Sequence, residues 1–177
     1  MATQSRLTFL LSHREQSRIQ ARQQRSIPTT IIMTAKTILI INGPNLNMLG
    51  TREPEIYGHQ SLHDIENLCR DTAAGLGLDI DFRQSNHEGE IVEWIQRARD
   101  KHCAIGINGA AYTHTSLAIH DALKLCGVPV AEIHLSEPKQ REEFRHFSYI
   151  EPTAQIHVSG KGASGYSEAI QKLAELL

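Results

Sequence analysis

The amino-acid sequence predicts one α/β domain built on a doubly wound, five-stranded parallel sheet. Two observations support this fold class. Short apolar runs rich in β-branched residues alternate along the chain with amphipathic helical patterns, and strands separated by helices pair in parallel because each helix returns the chain to the same end of the sheet. The length of 177 residues suits one such domain and is short for two.

Each strand is indicated by an apolar run and each helix by an apolar stripe. The first run, Thr37–Asn42, is typical of a strand buried on both faces. Ser61 is the predicted N-cap of the first helix, with Asp64 as its capping-box acid. The later strands are predicted at Leu78–Arg83, Ala104–Asn108, Pro129–Ser136 and Ala154–Val158. The helices are predicted at Ser61–Gly75, Glu88–Lys101, Thr115–Cys126, Gln140–Phe144 and Gly165–Leu177. Right-handed crossovers then give a flavodoxin-like arrangement, in which ligands bind beyond the carboxyl ends of the strands.

The composition argues against several classes of protein. No apolar run approaches the roughly 18 residues that a membrane span requires, so no membrane partner is expected. A formal charge of −2 gives no indication of a nucleic-acid partner. Cys69, Cys103 and Cys126 lack the spacing of a redox or metal motif, and we interpret them as reduced core residues of a cytoplasmic protein.

Residues 1–32 differ from residues 33–177, where the catalytic domain is expected. They carry five arginines, one glutamate and many glutamines and serines, a composition that resembles an organelle transit peptide. A disordered or extraneous extension, with Met33 as the true first residue, is the favoured alternative. On either interpretation the segment is too short and too polar to form a domain.

The first candidate segment for chemistry is the long loop that follows the first strand, residues 43–60. Loops of this length in compact domains are often lids. It carries Arg52 and Tyr57. A guanidinium near a phenol favours the phenolate and lowers its pKa from about 10 toward neutrality, which would make Tyr57 a usable general base. A packed tyrosine ring and a solvated arginine are the structural alternative.

Two more candidate segments follow the third and fourth strands. Asn108 and His114 lie at the start of a predicted helix, where unpaired backbone N–H groups attract anions. In the fourth strand, alternation places Glu132, His134 and Ser136 on one face. Glu132 could orient His134, which could act as an acid. A buried hydrogen-bond network is the alternative for this face.

Three further signals are ambiguous or weak. Arg141 and Arg145, one predicted helical turn apart, could clamp a carboxylate or hydroxyl groups, or could form a solvated charged face. The segment Gly160–Gly165 has the glycine spacing of a dinucleotide fingerprint, but no further strand and acid follow it, so a tight turn is predicted. The histidines lack metal-ligand spacing, so no metal is expected.

Five motifs together resemble the type II 3-dehydroquinate dehydratases. They are NGPNLNMLGTREPEIYG (residues 42–58), QSNHEG (84–89), AYTHTS (111–116), EIHLS (132–136) and REEFRH (141–146). They occur in order and at the family's spacing between about Lys36 and Leu177. The resemblance implies that 3-dehydroquinate is converted to 3-dehydroshikimate by trans elimination of water through an enolate, without metal or cofactor. It also implies a homo-oligomer in which trimers assemble into a dodecamer.

The resemblance also implies a role for each site residue. Tyr57 would accept the proton from the carbon next to the ketone, and Arg52 would hold Tyr57 ionised. His134, supported by Glu132, would protonate the departing hydroxyl, while Asn45 would help to stabilise the enolate. The other site residues would bind substrate: Asn108, His114 and Arg145 at its hydroxyls, Leu135 and Ser136 at its carboxylate, Asp121 from a neighbouring subunit, and Arg141 in the surroundings of the site.

The chain departs from the family pattern at three positions. Ala110 stands where glycine is usual, His120 where arginine is usual and Glu137 where asparagine is usual. An added acid near an anionic ligand would weaken binding if it pointed inward.

Two other functions compete with the dehydratase. One is a catalytically inactive, flavodoxin-like binding or regulatory module, against which the intact set of Tyr57, Arg52 and His134 argues. The other is a nucleotide-dependent oxidoreductase on the same fold, against which the incomplete glycine fingerprint argues. Aromatic biosynthesis and quinate breakdown both remain open as roles, because both use the same reaction.

Overall fold

A parallel sheet with helices on both faces forms the described part of the chain. The structure is a computed structural model that describes residues 36–50 and 60–177. Within these residues the strands are β1 (Thr37–Asn42), β2 (Asp79–Gln84), β3 (Ala104–Asn108), β4 (Val130–Ile133) and β5 (Ile156–Val158). The α-helices are α1 (Leu62–Ala74), α2 (Glu88–Lys101), α3 (Leu117–Cys126) and α4 (Ser164–Ala174).

The strand order is β2-β1-β3-β4-β5, and all described pairs are parallel. This order confirms the predicted doubly wound, flavodoxin-like sheet. The chain moves outward from β1 to β2 in one direction and from β3 to β5 in the other, so the crossovers on the two sides cover opposite faces. The strand ends at β1 and β3 therefore border the topological switch point at which such sheets bind ligands.

Side-chain alternation along β1 explains why its sequence is apolar throughout. Ile38 and Ile40 face a core formed with α1 and α4, whereas Leu39 and Ile41 face a second core formed with α2 and α3. All four side chains are fully buried. A central strand covered by helices on both faces has no solvent-facing positions, so it needs an apolar residue at each one.

Local signals in the sequence define the helix ends. Ser61 and Asp64 form the predicted capping box at the start of α1, in which each side chain accepts a hydrogen bond from the other's backbone N–H. The third helix begins later than predicted, at Leu117. Its N-cap is Ser116, whose side chain accepts the N–H of Ile119, and a 3₁₀ helix, Ala110–His114, precedes it.

The predicted fourth strand was wrong in extent, and the helix predicted after it was wrong in type. The strand ends at Ile133 rather than at Ser136, because its edge partner β5 ends at Val158 and Gly160, at φ 71°, then turns the chain away. The predicted helix Gln140–Phe144 is replaced by two 3₁₀ helices, Pro138–Gln140 and Glu143–Arg145. Phe144 is 69% exposed, so this segment has no buried apolar face to stabilise a longer helix.

The three cysteines are free thiols, as predicted. Cys69 and Cys126 are buried, and Cys103 is half-buried. Burial raises the pKa of all three thiols, in the case of Cys69 to about 12. The thiolate is therefore disfavoured at each position, as expected of packing residues rather than nucleophiles.

Candidate active site

A cavity of about 170 Å³ opens at the carboxyl ends of β1, β3 and β4. Eight of the predicted site residues line it: Asn45, Asn108, His114, His134, Leu135, Ser136, Arg141 and Arg145. They come from three segments separated by up to about a hundred positions in the chain, and the parallel topology brings the three together.

A close backbone contact holds the first two of these segments together. The N–H of Gly43 donates to the carbonyl of Asn108 at 2.8 Å. A Cβ at position 43 would lie 2.3 Å from the carbonyl oxygen of Gly109, well inside van der Waals contact. Glycine is therefore required at position 43, and its absent side chain lets the loop after β1 lie directly against the loop after β3.

The most buried charged group at the site is Glu132, which is paired with His134. His134 Nε2–H donates to Glu132 Oε1 at 2.9 Å. The Glu132 side chain is 4% exposed and that of His134 is 15% exposed. Burial raises the pKa of Glu132, but hydrogen bonds from His134 and Ser148 outweigh it and hold that pKa below its ordinary value. Glu132 is therefore a carboxylate, and it fixes the orientation of the His134 ring through Nε2. The other nitrogen of that ring, Nδ1, takes no part in this hydrogen bond.

Two partners of Glu132 were missed from the sequence. Ser148 Oγ donates to Glu132 Oε1 at 2.6 Å, and its oxygen accepts the N–H groups of Ile150 and Glu151. His157 Nδ1 lies 3.3 Å from Glu132 Oε2. A signal for His157 was present, since a histidine stands between the apolar residues Ile156 and Val158 of the fifth strand. No comparable signal marks Ser148, which lies in irregular backbone.

The lowered pKa of Glu132 predicts a particular dependence of stability on pH. A carboxyl group whose pKa is lower in the folded state than in the unfolded state stabilises the fold at pH values above its unfolded-state pKa, which is 4.5 here. This stabilisation is lost as the pH falls through the lower pKa of the folded state. Glu132→Gln lacks this contribution. We expect the difference in free energy of unfolding between wild type and Glu132→Gln, measured by urea denaturation, to shrink steadily as the pH is lowered below 4.5. A constant or growing difference over that range would contradict the assignment.

His114 lies beside His134 as a neutral imidazole. Its Nδ1–H donates to the carbonyl of Phe147 at 2.7 Å. Burial lowers the pKa of His114, and the neighbouring His134 and Arg145 lower it further. The hydrogen bond to Phe147 raises this pKa but does not outweigh the other effects. The rings of His114 and His134 are stacked, with centroids 6.5 Å apart. The Nε2 atom of a neutral His114 carries a lone pair, which can accept a hydrogen bond from a hydroxyl group.

Buried hydrogen bonds fix the floor of the cavity. Tyr166 OH donates to Asn42 Oδ1 at 2.7 Å and accepts from Asn108 Nδ2 at 2.9 Å. Asn108 Oδ1 in turn accepts the N–H of Ala110 at 3.2 Å. Tyr166 is fully buried, and burial raises the pKa of its phenol. The hydroxyl therefore stays protonated and serves to orient Asn108.

Replacing Tyr166 with phenylalanine should destabilise the protein. The change leaves Asn42 Oδ1 and one N–H of Asn108 buried without their partner, which costs about 1–3 kcal/mol of the free energy of unfolding. Tyr112→Phe is the matched control, because the Tyr112 hydroxyl donates to the Asn86 carbonyl near the surface. Equal unfolding midpoints in urea for the two variants would show that the buried network contributes nothing specific.

Asn45 occupies a special backbone conformation on the cavity wall. Its φ is 66°, a left-handed conformation that asparagine tolerates better than most residues. Its N–H donates to Asn86 Oδ1 at 2.9 Å, and Gln84 Nε2 donates to the same oxygen at 3.1 Å. The QSNHEG motif (residues 84–89) therefore supports the loop after β1 through Gln84 and Asn86, although neither of these residues lines the cavity.

The arginines reach the cavity without sharing a helix. Glu142 pairs with both, at 2.8 Å from Arg145 Nε and 3.7 Å from Arg141 Nε. The predicted helical relation between Arg141 and Arg145 was wrong, but both side chains line the same cavity. They place positive charge at its rim, as a carboxylate or a polyhydroxylated ligand would require.

The three departures from the family pattern have local explanations. Glu137 lines a neighbouring cavity, where its carboxylate accepts from Ser159 Oγ at 2.5 Å and from the N–H of Lys139 at 3.2 Å. It does not line the first cavity. Ala110 has φ 49°, a conformation in which glycine is unstrained. His120 Nδ1–H donates to the carbonyl of Tyr149 at 2.7 Å and so joins α3 to a following loop.

Four predicted site residues are not among those that line this cavity. Glu132 lines the neighbouring cavity instead. Arg52 and Tyr57 lie outside the residues that the structure describes. Asp121 lies on α3, exposed to solvent and away from the cavity.

Residues 36–50 and 60–177 show neither a metal-binding cluster nor a membrane-spanning helix. No cluster of three or more His, Cys, Asp or Glu side chains there could hold a metal ion. No helix in the same part of the chain combines the length and the apolar character needed to cross a membrane.

The fold and the site together define an α/β enzyme with a polar cavity at the carboxyl ends of its parallel strands. A buried carboxylate orients an imidazole at the switch point of a doubly wound sheet, with a neutral histidine and arginines around it. The sequence model described as dehydroquinase class II matches residues 36–174. The chain belongs to the class II dehydroquinase family.

Individual relatives support this assignment. A 3-dehydroquinate dehydratase of Phenylobacterium zucineum is 56% identical over 142 residues, which cover 80% of this chain and 98% of the relative. One from Streptomyces avermitilis is 53% identical over 151 residues, covering 85% and 95%. The crystal structure of the type II dehydroquinase from Propionibacterium acnes matches with a TM-score of 0.77 at 39% identity, covering 80% of this chain and 98% of that one.

Proposed function

We propose that this chain is a hydro-lyase that dehydrates 3-dehydroquinate to 3-dehydroshikimate in the cavity at the ends of β1, β3 and β4. The observation that carries the proposal is the hydrogen bond from His134, which lines that cavity, to the buried carboxylate of Glu132. A small ligand with one carboxylate, a ketone and several hydroxyls suits a wall that combines arginines, amides and a neutral histidine.

His134 is the proposed acid. Because Glu132 accepts the Nε2–H, the second proton of the imidazolium sits on Nδ1, which is the atom that would deliver it. As the C–O bond of the substrate breaks, this proton passes to the departing hydroxyl and water leaves. The Glu132 carboxylate stabilises the imidazolium before the transfer and keeps the ring in place throughout.

Tyr57 is the proposed base, and Arg52 the cation that favours its phenolate. Both belong to the family motif that follows β1 and lie outside the described residues. The phenolate would take the proton from the carbon next to the ketone, leaving its electron pair in an enolate that Asn45 helps to stabilise. Tyr166, the phenol below the cavity, is unsuited to this role because burial keeps it protonated.

The remaining site residues are proposed to bind the substrate. Asn108, His114 and Arg145 would hold its hydroxyls, and Leu135 and Ser136 its carboxylate. All five line the cavity. Arg141 would add positive charge at the rim.

Asp121 is proposed to act in the site of a neighbouring subunit, within trimers that assemble into a dodecamer. Its position on the exposed surface of α3 supports this assignment. On the same helix Leu117 and Leu125 are 57% and 71% exposed, which would suit burial against another subunit.

Residues 33–177 are proposed to form the catalytic domain, and residues 1–32 to lie outside it. We further propose a cytoplasmic enzyme, with organelle import directed by residues 1–32 as the alternative. The same reaction would serve aromatic amino-acid biosynthesis or quinate breakdown.

The direct test is to add 3-dehydroquinate and to follow the ultraviolet absorbance of the conjugated product. We expect turnover, unchanged by a chelator because no step uses a metal. Binding of 3-dehydroquinate in calorimetry without any absorbance change would instead support the inactive binding module.

A further inference from the structure

Two imidazoles from neighbouring strands share the carboxylate of Glu132, and the proposed reaction uses only one of them. β4 and β5 pair in parallel with Glu132 opposite His157, so both side chains lie on the same face of the sheet. His157 Nδ1 lies 3.3 Å from Oε2, while His134 Nε2 lies 2.9 Å from Oε1. Because the carboxylate accepts at both oxygens, each imidazole donates an N–H to it.

The two imidazoles differ in the cavities that they line. His134 lies between the proposed substrate cavity and a second cavity of about 220 Å³, and it lines both. His157 lines the second cavity, and its side chain is 45% exposed. His157 does not line the first cavity. It can therefore exchange protons with solvent without forming part of the wall of the proposed substrate cavity.

We propose that His157 is a positioning residue that acts through Glu132 to make His134 a stronger proton donor. This inference rests on the proposed function of His134 as the acid. A carboxylate that faces a single imidazolium strengthens its hold on the proton. A second N–H donor at Glu132 Oε2, here that of His157, weakens the attraction of the carboxylate for the His134 imidazolium. A positive charge at the position of His157 weakens it further. The two rings are thus linked through one shared carboxylate.

The surroundings allow the effect of His157 to be isolated. Ser148 anchors Glu132 Oε1 independently of His157 and is itself fixed by two backbone N–H groups. The carboxylate should therefore stay in place when His157 is replaced. Six other titratable or charged side chains border the second cavity and remain in every variant of His157: His114, Glu137, Lys139, Arg145, His146 and Glu151.

The test compares three substitutions of His157 in the full chain. Leucine removes the N–H donor, glutamine keeps a neutral donor, and lysine supplies a lasting positive charge. The alkaline limb of the pH profile of kcat/KM should move by about half a pH unit or more to higher pH in His157→Leu and to lower pH in His157→Lys. It should stay within about 0.2 pH unit of wild type in His157→Gln. KM should stay within about twofold in all three, since position 157 does not line the substrate cavity.

A matched control separates the shared carboxylate from general electrostatics. Lys139→Met removes a cation from the same second cavity, and no hydrogen bond or ion pair joins Lys139 to Glu132. Its alkaline limb should stay within about 0.2 pH unit of wild type. A shift as large as that of the His157 variants would overturn the proposal.

A second readout keeps this inference separate from the proposed function. Histidine labelled with ¹³C in the ring allows the titration of His134 to be followed by NMR without substrate, with its signal assigned by its loss in His134→Gln. Opposite shifts of that titration in His157→Leu and His157→Lys would support the coupling even if the chain failed to dehydrate 3-dehydroquinate. The same His134 titration in all variants would overturn it, even in a fully active enzyme.

Discussion

Replacing His134 with glutamine should lower kcat for 3-dehydroquinate by about a thousandfold, while KM changes by less than about threefold. Glutamine keeps a donor for Glu132 Oε1 but has no dissociable proton to give to the departing hydroxyl. The hydroxyl would then leave without protonation, so the loss falls on the chemical step rather than on binding. Steady-state kinetics followed through the absorbance of the product give both parameters.

The matched control for this prediction is His63→Gln, on the exposed surface of α1. The side chain of His63 is 76% exposed, and its Nδ1 lies 3.9 Å from Glu66 Oε2. Its kcat should equal that of wild type within about twofold. If His134→Gln raised KM while leaving kcat intact, His134 would be a binding residue, and the acid would have to be sought elsewhere.

Replacing Gly43 with alanine should lower the free energy of unfolding by about 3 kcal/mol and abolish most of the activity. The new Cβ would meet the carbonyl oxygen of Gly109 at 2.3 Å and its carbonyl carbon at 2.7 Å. Backbone cannot rotate away as a side chain can. The loop beyond β3 is held in turn by the side chains of Ile150 and Thr113, both within 3 Å of where a Cβ at Gly109 would lie. The two loops would have to separate, and the cavity between them would lose its shape.

Gly89→Ala controls for the loss of a glycine. It lies in the first turn of α2, and a Cβ there meets nothing within 4 Å. Alanine at this position should stabilise the helix by up to about 1 kcal/mol. Urea unfolding of both variants tests the pair. A Gly43→Ala protein as stable as wild type would show that the backbone contact is not a constraint.

The fold could be read from the sequence because its signals are local. The alternation of Ile38, Leu39, Ile40 and Ile41 between two cores requires helices on both faces, and Ser61 with Asp64 marks a helix start without any knowledge of tertiary structure. The end of β4 could not be predicted in the same way. It depends on where the neighbouring strand β5 stops, which is a property of the pairing and not of residues 134–136.

The candidate site was predictable to the extent that its residues follow strand ends. Parallel strands end at one edge of the sheet, so Asn108, His114 and His134 were expected to meet, and they line one cavity. The partners of Glu132 could not be found this way. His157 reaches the carboxylate through strand register, and Ser148 through an irregular segment. The alternation around His157 marks a polar position in a strand but does not identify its partner, and Ser148 has no periodic signature in the sequence.

The central claim is that a base on the loop after β1 and the acid His134 at the end of β4 act on opposite sides of one bound substrate. The most direct measurement uses 3-dehydroquinate labelled with deuterium only at the hydrogen next to the ketone that lies trans to the departing hydroxyl. The account predicts that wild-type enzyme releases this deuterium to water and forms unlabelled 3-dehydroshikimate. Deuterium retained in the product would mean that the cis hydrogen is removed, which would contradict an acid and a base placed on opposite sides.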